Sequence, residues 1–187
     1  SQPNNGDLTP TFRSYSTANS TSTKALTISK PSDVQQNDVM FASLVSHNST
    51  MLTAPTGWAL IESREVEASK NYIYWKRVAA SEPDDYTWVN NNTSVPMIGT
   101  IAAYKGCTTS GTPYEGLAYT GAGSGTSIVT SNQQTSSGSN RTILTLILGG
   151  INFSGTTNSF TVASGYTERA DTSVTDGTST IFSYVAD

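Results

Sequence analysis

The chain reads Asn37-Asp38-Val39-Met40-Phe41-Ala42-Ser43-Leu44-Val45 in its first half, and its second half reads Asn140-Arg141-Thr142-Ile143-Leu144-Thr145-Leu146-Ile147-Leu148. The second run begins 140 − 37 = 103 residues after the first. Both runs open on Asn and continue with apolar residues at successive positions. A short run without polar alternation is typical of a strand that has little solvent on either face. We therefore predict two central strands in equivalent places of the fold.

Two further pairs of segments keep the same order. Pro55-Thr56-Gly57-Trp58 is matched by Ala163-Ser164-Gly165-Tyr166, at an offset of 165 − 57 = 108. The Ile73–Ala79 segment is matched by Phe182–Ala186, at an offset of 185 − 78 = 107. Because order and spacing both persist, we predict an internal structural repeat with halves at about 11–106 and 117–187.

The repeat predicts that the second half lacks its last strands. After Val78-Ala79 the first half continues through a turn and two more apolar segments to Gly106, whereas the second half has reached Asp187 at the equivalent point. Three explanations stay open: the polypeptide continues beyond this sequence, the two halves have diverged, or another chain completes the sheet edge after Asp187.

Strand-like segments recur along the chain between turns rich in Gly, Pro, Asn and Asp. Their spacing predicts an all-β fold: a two-sheet antiparallel β-sandwich formed by one domain at 11–187, preceded by an N-terminal arm or linker at 1–10. The predicted strands of the first half are Thr11–Thr17, Ala25–Ser29, Asp38–Ser46, Ala59–Arg64, Asn71–Ala79, Tyr86–Val89 and Pro96–Tyr104. Those of the second half are Leu117–Tyr119, Thr126–Ser131, Arg141–Gly149, Thr161–Ala163, Tyr166–Ala170 and Thr178–Ala186.

Composition narrows the classes of partner. Only 13% of the 187 residues are charged and the formal net charge is −4, which argues against nucleic acid, whose phosphates need clustered Lys and Arg. No run approaches the roughly 20 apolar residues of a membrane-spanning helix, so we expect no membrane insertion.

Reactive residues are scarce. His47 is the only histidine and Cys107 the only cysteine, which is too few for a Ser-His-Asp triad or a zinc site built on His and Cys. The sequence predicts no enzyme, no metal and no cofactor, and it reads His47 as an exposed loop residue.

Aromatic residues are numerous for a chain with so few charges. Strand alternation places Tyr72 and Tyr74 on one side of a strand and Ile73 and Trp75 on the other, without deciding which side faces solvent. Exposed aromatic rings can stack on the apolar face of a sugar, whereas buried rings pack the core. We predict core positions for Trp58, Trp88 and Tyr104, and glycan contacts at Tyr72, Tyr74, Tyr114 and Tyr119.

Several segments form a recognisable pattern: Thr11–Ser14, Pro55–Ile61, Ala79–Pro83, Tyr86–Trp88, Gly99–Gly106 and Ser164–Arg169. Together they resemble a jelly-roll-like β-sandwich domain found in bacteriophage tail and virion-surface proteins and in secreted multidomain bacterial proteins. The resemblance covers about Phe12 to Asp187 and implies a location on a virion surface or outside the cell. It implies no catalytic residue.

These observations favour a non-catalytic structural or adhesion module on a virion surface, such as a phage fibre, tail or capsid decoration component. Its expected partners are other virion or surface protein chains, together with a cell-surface glycan. The alternative is a carbohydrate-binding module of a secreted bacterial protein.

Overall fold

A computed structural model describes residues 9–47, 51–66, 69–91, 94–115, 145–151, 164–175 and 180–187. Within these ranges every regular element is a β-strand. The strands are β1 (Thr11–Thr23), β2 (Ala25–Ser29), β3 (Val39–His47), β4 (Leu52–Thr53), β5 (Ala59–Val66), β6 (Ser69–Arg77), β7 (Asp85–Asn90), β8 (Val95–Lys105), β9 (Thr145–Ile151), β10 (Glu168–Thr175) and β11 (Thr180–Ala186). The prediction of an all-β fold is confirmed.

The described strands form three antiparallel sheets. The main sheet has the order β1-β8-β3-β6-β5, the β7 sheet has the order β2-β7-β4, and the β11 sheet has the order β10-β11-β9. β2 packs against β1 and β8, while all three strands of the β11 sheet pack against the main sheet. The fold is consistent with a β-sandwich, but the main sheet is covered on both faces. The prediction of two sheets therefore undercounts the layers among the described strands.

Strand β3 lies at the centre of the main sheet and contributes to both layers. Met40, Ala42 and Leu44 belong to the core shared with the β7 sheet. Val39 and Val45 lie on the opposite face, in the clusters shared with the β11 sheet. A strand that is buried on both faces cannot alternate apolar and polar residues, which explains the continuous apolar run of the sequence. Asn37 begins the run with a left-handed backbone (φ 74°), which Asn tolerates better than most residues.

An aromatic cluster fills the core between the main sheet and the β7 sheet. The ring of Trp58 lies 5.1 Å from that of Trp88 and 5.2 Å from that of Tyr86, both edge to face. Tyr74 packs on Trp88 at 6.1 Å. The core positions predicted for Trp58, Trp88 and Tyr104 are confirmed, since all three side chains are buried.

A buried ion pair closes one end of this core. The carboxylate of Glu82 lies 3.3 Å from Lys76 Nζ and accepts hydrogen bonds from the Ala79 amide at 2.7 Å and the Tyr86 hydroxyl at 2.8 Å. Gly57 has a left-handed backbone (φ 87°), and a Cβ there would lie 2.6 Å from Lys76 Nζ. The turn before Trp58 therefore favours glycine for its backbone angle, whereas the end of the flexible Lys76 side chain could move aside.

The β11 sheet is held to the main sheet by a mixture of apolar and hydroxyl contacts. Val45 and Ile98 of the main sheet pack with Val174 and Ile181. Between the apolar clusters, Ser183 Oγ lies 3.0 Å from Ser43 Oγ and donates a hydrogen bond to Thr100 Oγ1 at 3.0 Å. These three side chains are fully buried, so their hydroxyls are satisfied only when the two sheets lie in this register.

A cation–π contact joins the same two sheets at one end, and an ion pair within the β11 sheet positions its cation. Arg169 Nη2 lies 2.8 Å from Asp187 Oδ1, and the Arg169 guanidinium lies 4.5 Å from the centre of the Phe12 ring. Phe12 packs in turn against the edge of Tyr104 at 5.8 Å. Burial, and after it the charge of Asp187, raises the pKa of Tyr104. The contacts of Arg169 with Phe12 and Asp187 connect the start of β1 with the start of β10 and the end of β11.

Most of the predicted strands lie within a few residues of the observed ones, and β2 has the predicted bounds. The sequence missed β4, which has only two residues, and placed His47 in a loop, although it is the half-buried last residue of β3. Three predicted strands, Leu117–Tyr119, Thr126–Ser131 and Thr161–Ala163, lie outside the described residues, as does most of the predicted arm. The extent of the single domain stays a prediction.

We expect Trp58→Ala to lower the free energy of unfolding by about 3–5 kcal/mol, because it removes a large ring from the centre of a close-packed cluster. Urea denaturation followed by circular dichroism measures the change, with Trp58→Phe as a control that keeps an aromatic ring. A Trp58→Ala variant with the stability of the wild type would contradict the packing described.

Candidate functional site

Two of the predicted glycan contacts lie in the core. Tyr72 and Tyr74 are 1% and 3% exposed, and their rings stack on each other at 6.2 Å. Burial, followed by the neighbouring Tyr72, raises the pKa of Tyr74 to about 12. Neither ring offers an open face to a sugar, so their burial argues against the predicted role. The predicted contact at Tyr119 lies outside the described residues.

The opposite side of β6 is the more open one. Ile73 and Trp75 project from this side and are half-buried. The β11 sheet covers only part of the main sheet: β9 packs over β3 and β6, and no described strand packs over β5. A surface on β5 and β6 remains, which we call the open face. It consists of Ala59, Glu62, Arg64, Ile73 and Trp75.

An unpaired strand edge borders the open face. β9 is hydrogen-bonded to β11 along one edge, and none of the described strands pairs with its other edge. Stacked sheets lie about 10 Å apart, so β9 lies about one sheet spacing above the open face. We call the open face together with this edge of β9 the step. The peptide groups along this edge can accept another strand.

The segment that follows β8 closes one end of the step. Arg77 donates hydrogen bonds to the Thr108 carbonyl, at 2.8 Å from Nη2, and to the Gly111 carbonyl at 3.1 Å. Its guanidinium also lies 5.5 Å from the Trp75 ring, and Tyr114 meets that ring edge to face at 6.4 Å. Tyr114, the remaining predicted glycan contact, is thus half-buried against Trp75. Arg77 is the residue that positions this segment.

The edge strand β5 carries charged pairs on both sides, Glu62 with Arg64 on the open face and Glu65 with Lys70 on the side of Tyr72. Arg64 lies 3.4 Å from Glu62 and Lys70 lies 3.6 Å from Glu65. With Ser63 these side chains line a shallow, open depression of about 390 Å³. Two acidic and two basic groups balance each other, and charges on an edge strand such as β5 discourage unwanted strand pairing.

The described residues contain no group of three or more His, Cys, Asp and Glu side chains placed to hold a metal ion. Cys107 is buried, and its burial raises the pKa of the thiol to about 11. Among the described residues, no helix is long and apolar enough to cross a membrane.

Comparison with protein-family models, curated proteins and solved structures finds no match for this chain. The resemblance to virion-surface and secreted bacterial domains therefore stays an expectation drawn from the sequence.

Sequence reasoning missed Trp75 as a site residue. The alternation along β6 placed Trp75 opposite Tyr72 and Tyr74, but it could not show which side of the strand a second layer covers. A signal was present in Ile73-Tyr74-Trp75, where large apolar residues occupy both sides of one strand, as at a position packed on two faces.

We expect Arg77→Ala to increase the rate at which iodoacetamide alkylates Cys107 at pH 8 several-fold. The variant loses the hydrogen bonds that hold Thr108 and Gly111 of the segment directly following Cys107. The charge of Arg77 lowers the pKa of Cys107, so its removal alone would slow the reaction, and a faster rate reports opening of the segment. Arg64→Ala is the control and keeps the wild-type rate. A rate in Arg77→Ala no faster than wild type would contradict the role of Arg77.

Proposed function

We propose that the chain is a non-catalytic structural and adhesion module of a virion or extracellular surface, such as a fibre, tail or capsid decoration component. The observation that carries the proposal is the step formed by the open face and the unpaired edge of β9. Half-exposed Ile73 and Trp75 beside an unpaired strand edge are features of a surface that another chain covers. The low charge suits assembly through packing and main-chain hydrogen bonds.

We also propose that the fold is jelly-roll-like and internally repeated. The strands β9, β11 and β10 are adjacent in the same order as β3, β6 and β5, and all of these pairs are antiparallel. The β5–β6 and β10–β11 pairs each have one irregularity of register, which lies between Leu60 and Glu62 in β5 and between Glu168 and Ala170 in β10. The two irregularities are 168 − 60 = 108 residues apart. Gly57 and Gly165 are also 108 residues apart, and both have a left-handed backbone.

The registers of these pairs revise one part of the sequence alignment. Leu60 pairs with Tyr74, and Glu168 pairs with Ala186. If Leu60 and Glu168 are equivalent, their partners are equivalent too, which gives β6 and β11 an offset of 186 − 74 = 112. When β6 and β11 are aligned at this offset, the strands paired with them, β3 and β9, are aligned at an offset of 103. This is the offset found between the two runs in the sequence. The offset of 107 taken from Val78 and Val185 is replaced by 112 in this alignment, because more residues separate the paired ends of β10 and β11 than those of β5 and β6.

A second candidate function is carbohydrate binding, as in a module of a secreted protein. It is favoured by the contact between Trp75 and Tyr114 and by the polar pair Glu62 and Arg64 on the same face. Sugars bind where aromatic rings lie beside groups that both donate and accept hydrogen bonds.

Sedimentation velocity tests the assembly function. We expect the wild-type chain to associate as its concentration rises, because no described strand covers the open face or pairs with the outer edge of β9. Ile73→Glu places a charge on the open face and should keep the chain monomeric. Leu60→Glu, an exposed position on the other side of β5, should associate like the wild type.

A glycan array separates the two candidates. Assembly through the open face predicts no glycan signal that depends on Tyr114. A wild-type chain that stays monomeric and binds a glycan, with binding lost in Tyr114→Ala, would replace assembly by carbohydrate binding.

A further inference from the structure

The β11 sheet stacks on the main sheet in a definite order. β10 lies over β1 and β8, β11 lies over β8 and β3, and β9 lies over β3 and β6. If β9, β11 and β10 correspond to β3, β6 and β5, this is the order that a two-fold axis between β3 and β9 produces. Two related sheets then pack back to back, as the subunits of a symmetric dimer do.

The side chains at the interface agree with this relation. Ile181 and Val185 of β11 face the main sheet and join its clusters, with Ser183 between them. At the offset of 112 these three residues correspond to Ser69, Asn71 and Ile73, which lie on the side of β6 that faces the β11 sheet. Both halves thus use the same side of the equivalent strand.

The same axis assigns an occupant to the step. β8 pairs with β3, and β1 pairs with β8. Their two-fold equivalents would pair in succession from the unpaired edge of β9 and lie over β6 and β5, where the open face is. We propose that the step is a docking site for an added β-strand with the chemistry of β8, and this inference rests on the assembly function proposed above.

The open face fits such a strand. The side of β8 that faces the β11 sheet carries Ile98, Ala102 and Tyr104, with Thr100 among them. Strand β6, which carries the open face, extends about 20 Å from Asn71 to Arg77 at roughly 3.3 Å per residue, which is the length of a strand of about six residues. Hydrogen bonds to β9 supply affinity, and Ile73 and Trp75 select apolar residues at alternate positions of the added strand.

A peptide with the sequence Val95–Lys105, labelled with a fluorophore and extended by lysines for solubility, is the probe. We expect the full chain to bind it saturably in fluorescence anisotropy, and a scrambled peptide not to bind. Ile73→Glu should weaken binding by about tenfold or more, because docking would bury the new charge. Leu60→Glu should bind like the wild type. Thermal melts of both variants show whether each is folded.

Hydrogen exchange supplies a readout that does not depend on a variant. The bound peptide should slow exchange of the amides of β9 that face its unpaired edge, and it should leave the amides of β11, already paired on both sides, unchanged.

The outcomes separate this inference from the proposed function. Absence of saturable binding, or equal binding by wild type and folded Ile73→Glu, overturns the strand-docking site. If self-association through Ile73 persists in that case, the assembly function stands without it. If the chain neither associates nor binds the peptide, both fail, and a glycan signal on the array would then identify the open face as a carbohydrate site.

Discussion

Burial of β3 on both faces is the constraint on which the rest of the fold depends. One face of the strand contributes to the core containing Trp88, and the other contributes to the clusters under β10 and β11. A polar residue on either face loses its hydrogen bonds to water, and Ser43 replaces them through Ser183. The continuous apolar run of β3 and the packing of a sheet on each face of the main sheet therefore have the same cause, the burial of β3 on both faces.

The outer layer shows how such a fold leaves a surface for assembly. The three described strands of the β11 sheet do not cover the five strands of the main sheet, so among the described residues β5 and part of β6 are open beside the edge of β9. The charged pairs on β5 protect its own edge, whereas Ile73 and Trp75 leave an apolar surface next to the step. Charges thus discourage strand pairing at the edge of β5, whereas the edge of β9 can accept a strand.

The sequence predicted the strands well, because short apolar segments between turn residues are local signals. It did not predict the number of layers or the side of β6 that the β7 sheet covers. Tyr72 and Tyr74 resembled binding residues by composition, yet the β7 sheet buries them, and Trp75 on the other side of β6 is the residue left half-exposed. Which side of a strand is covered depends on contacts between distant segments, and alternation alone does not contain that information.

The packing of the β11 sheet against β3 is the central claim, and cross-linking tests it most directly. Ser43 Oγ and Ser183 Oγ lie 3.0 Å apart, so cysteines at both positions should form a disulfide within one chain under mild oxidation. Ser43→Cys with Ser173→Cys, an exposed position on β10, is the matched control and should not. Rapid formation of the intramolecular disulfide is the predicted result. Free thiols at both positions in the folded, oxidised protein would contradict the account.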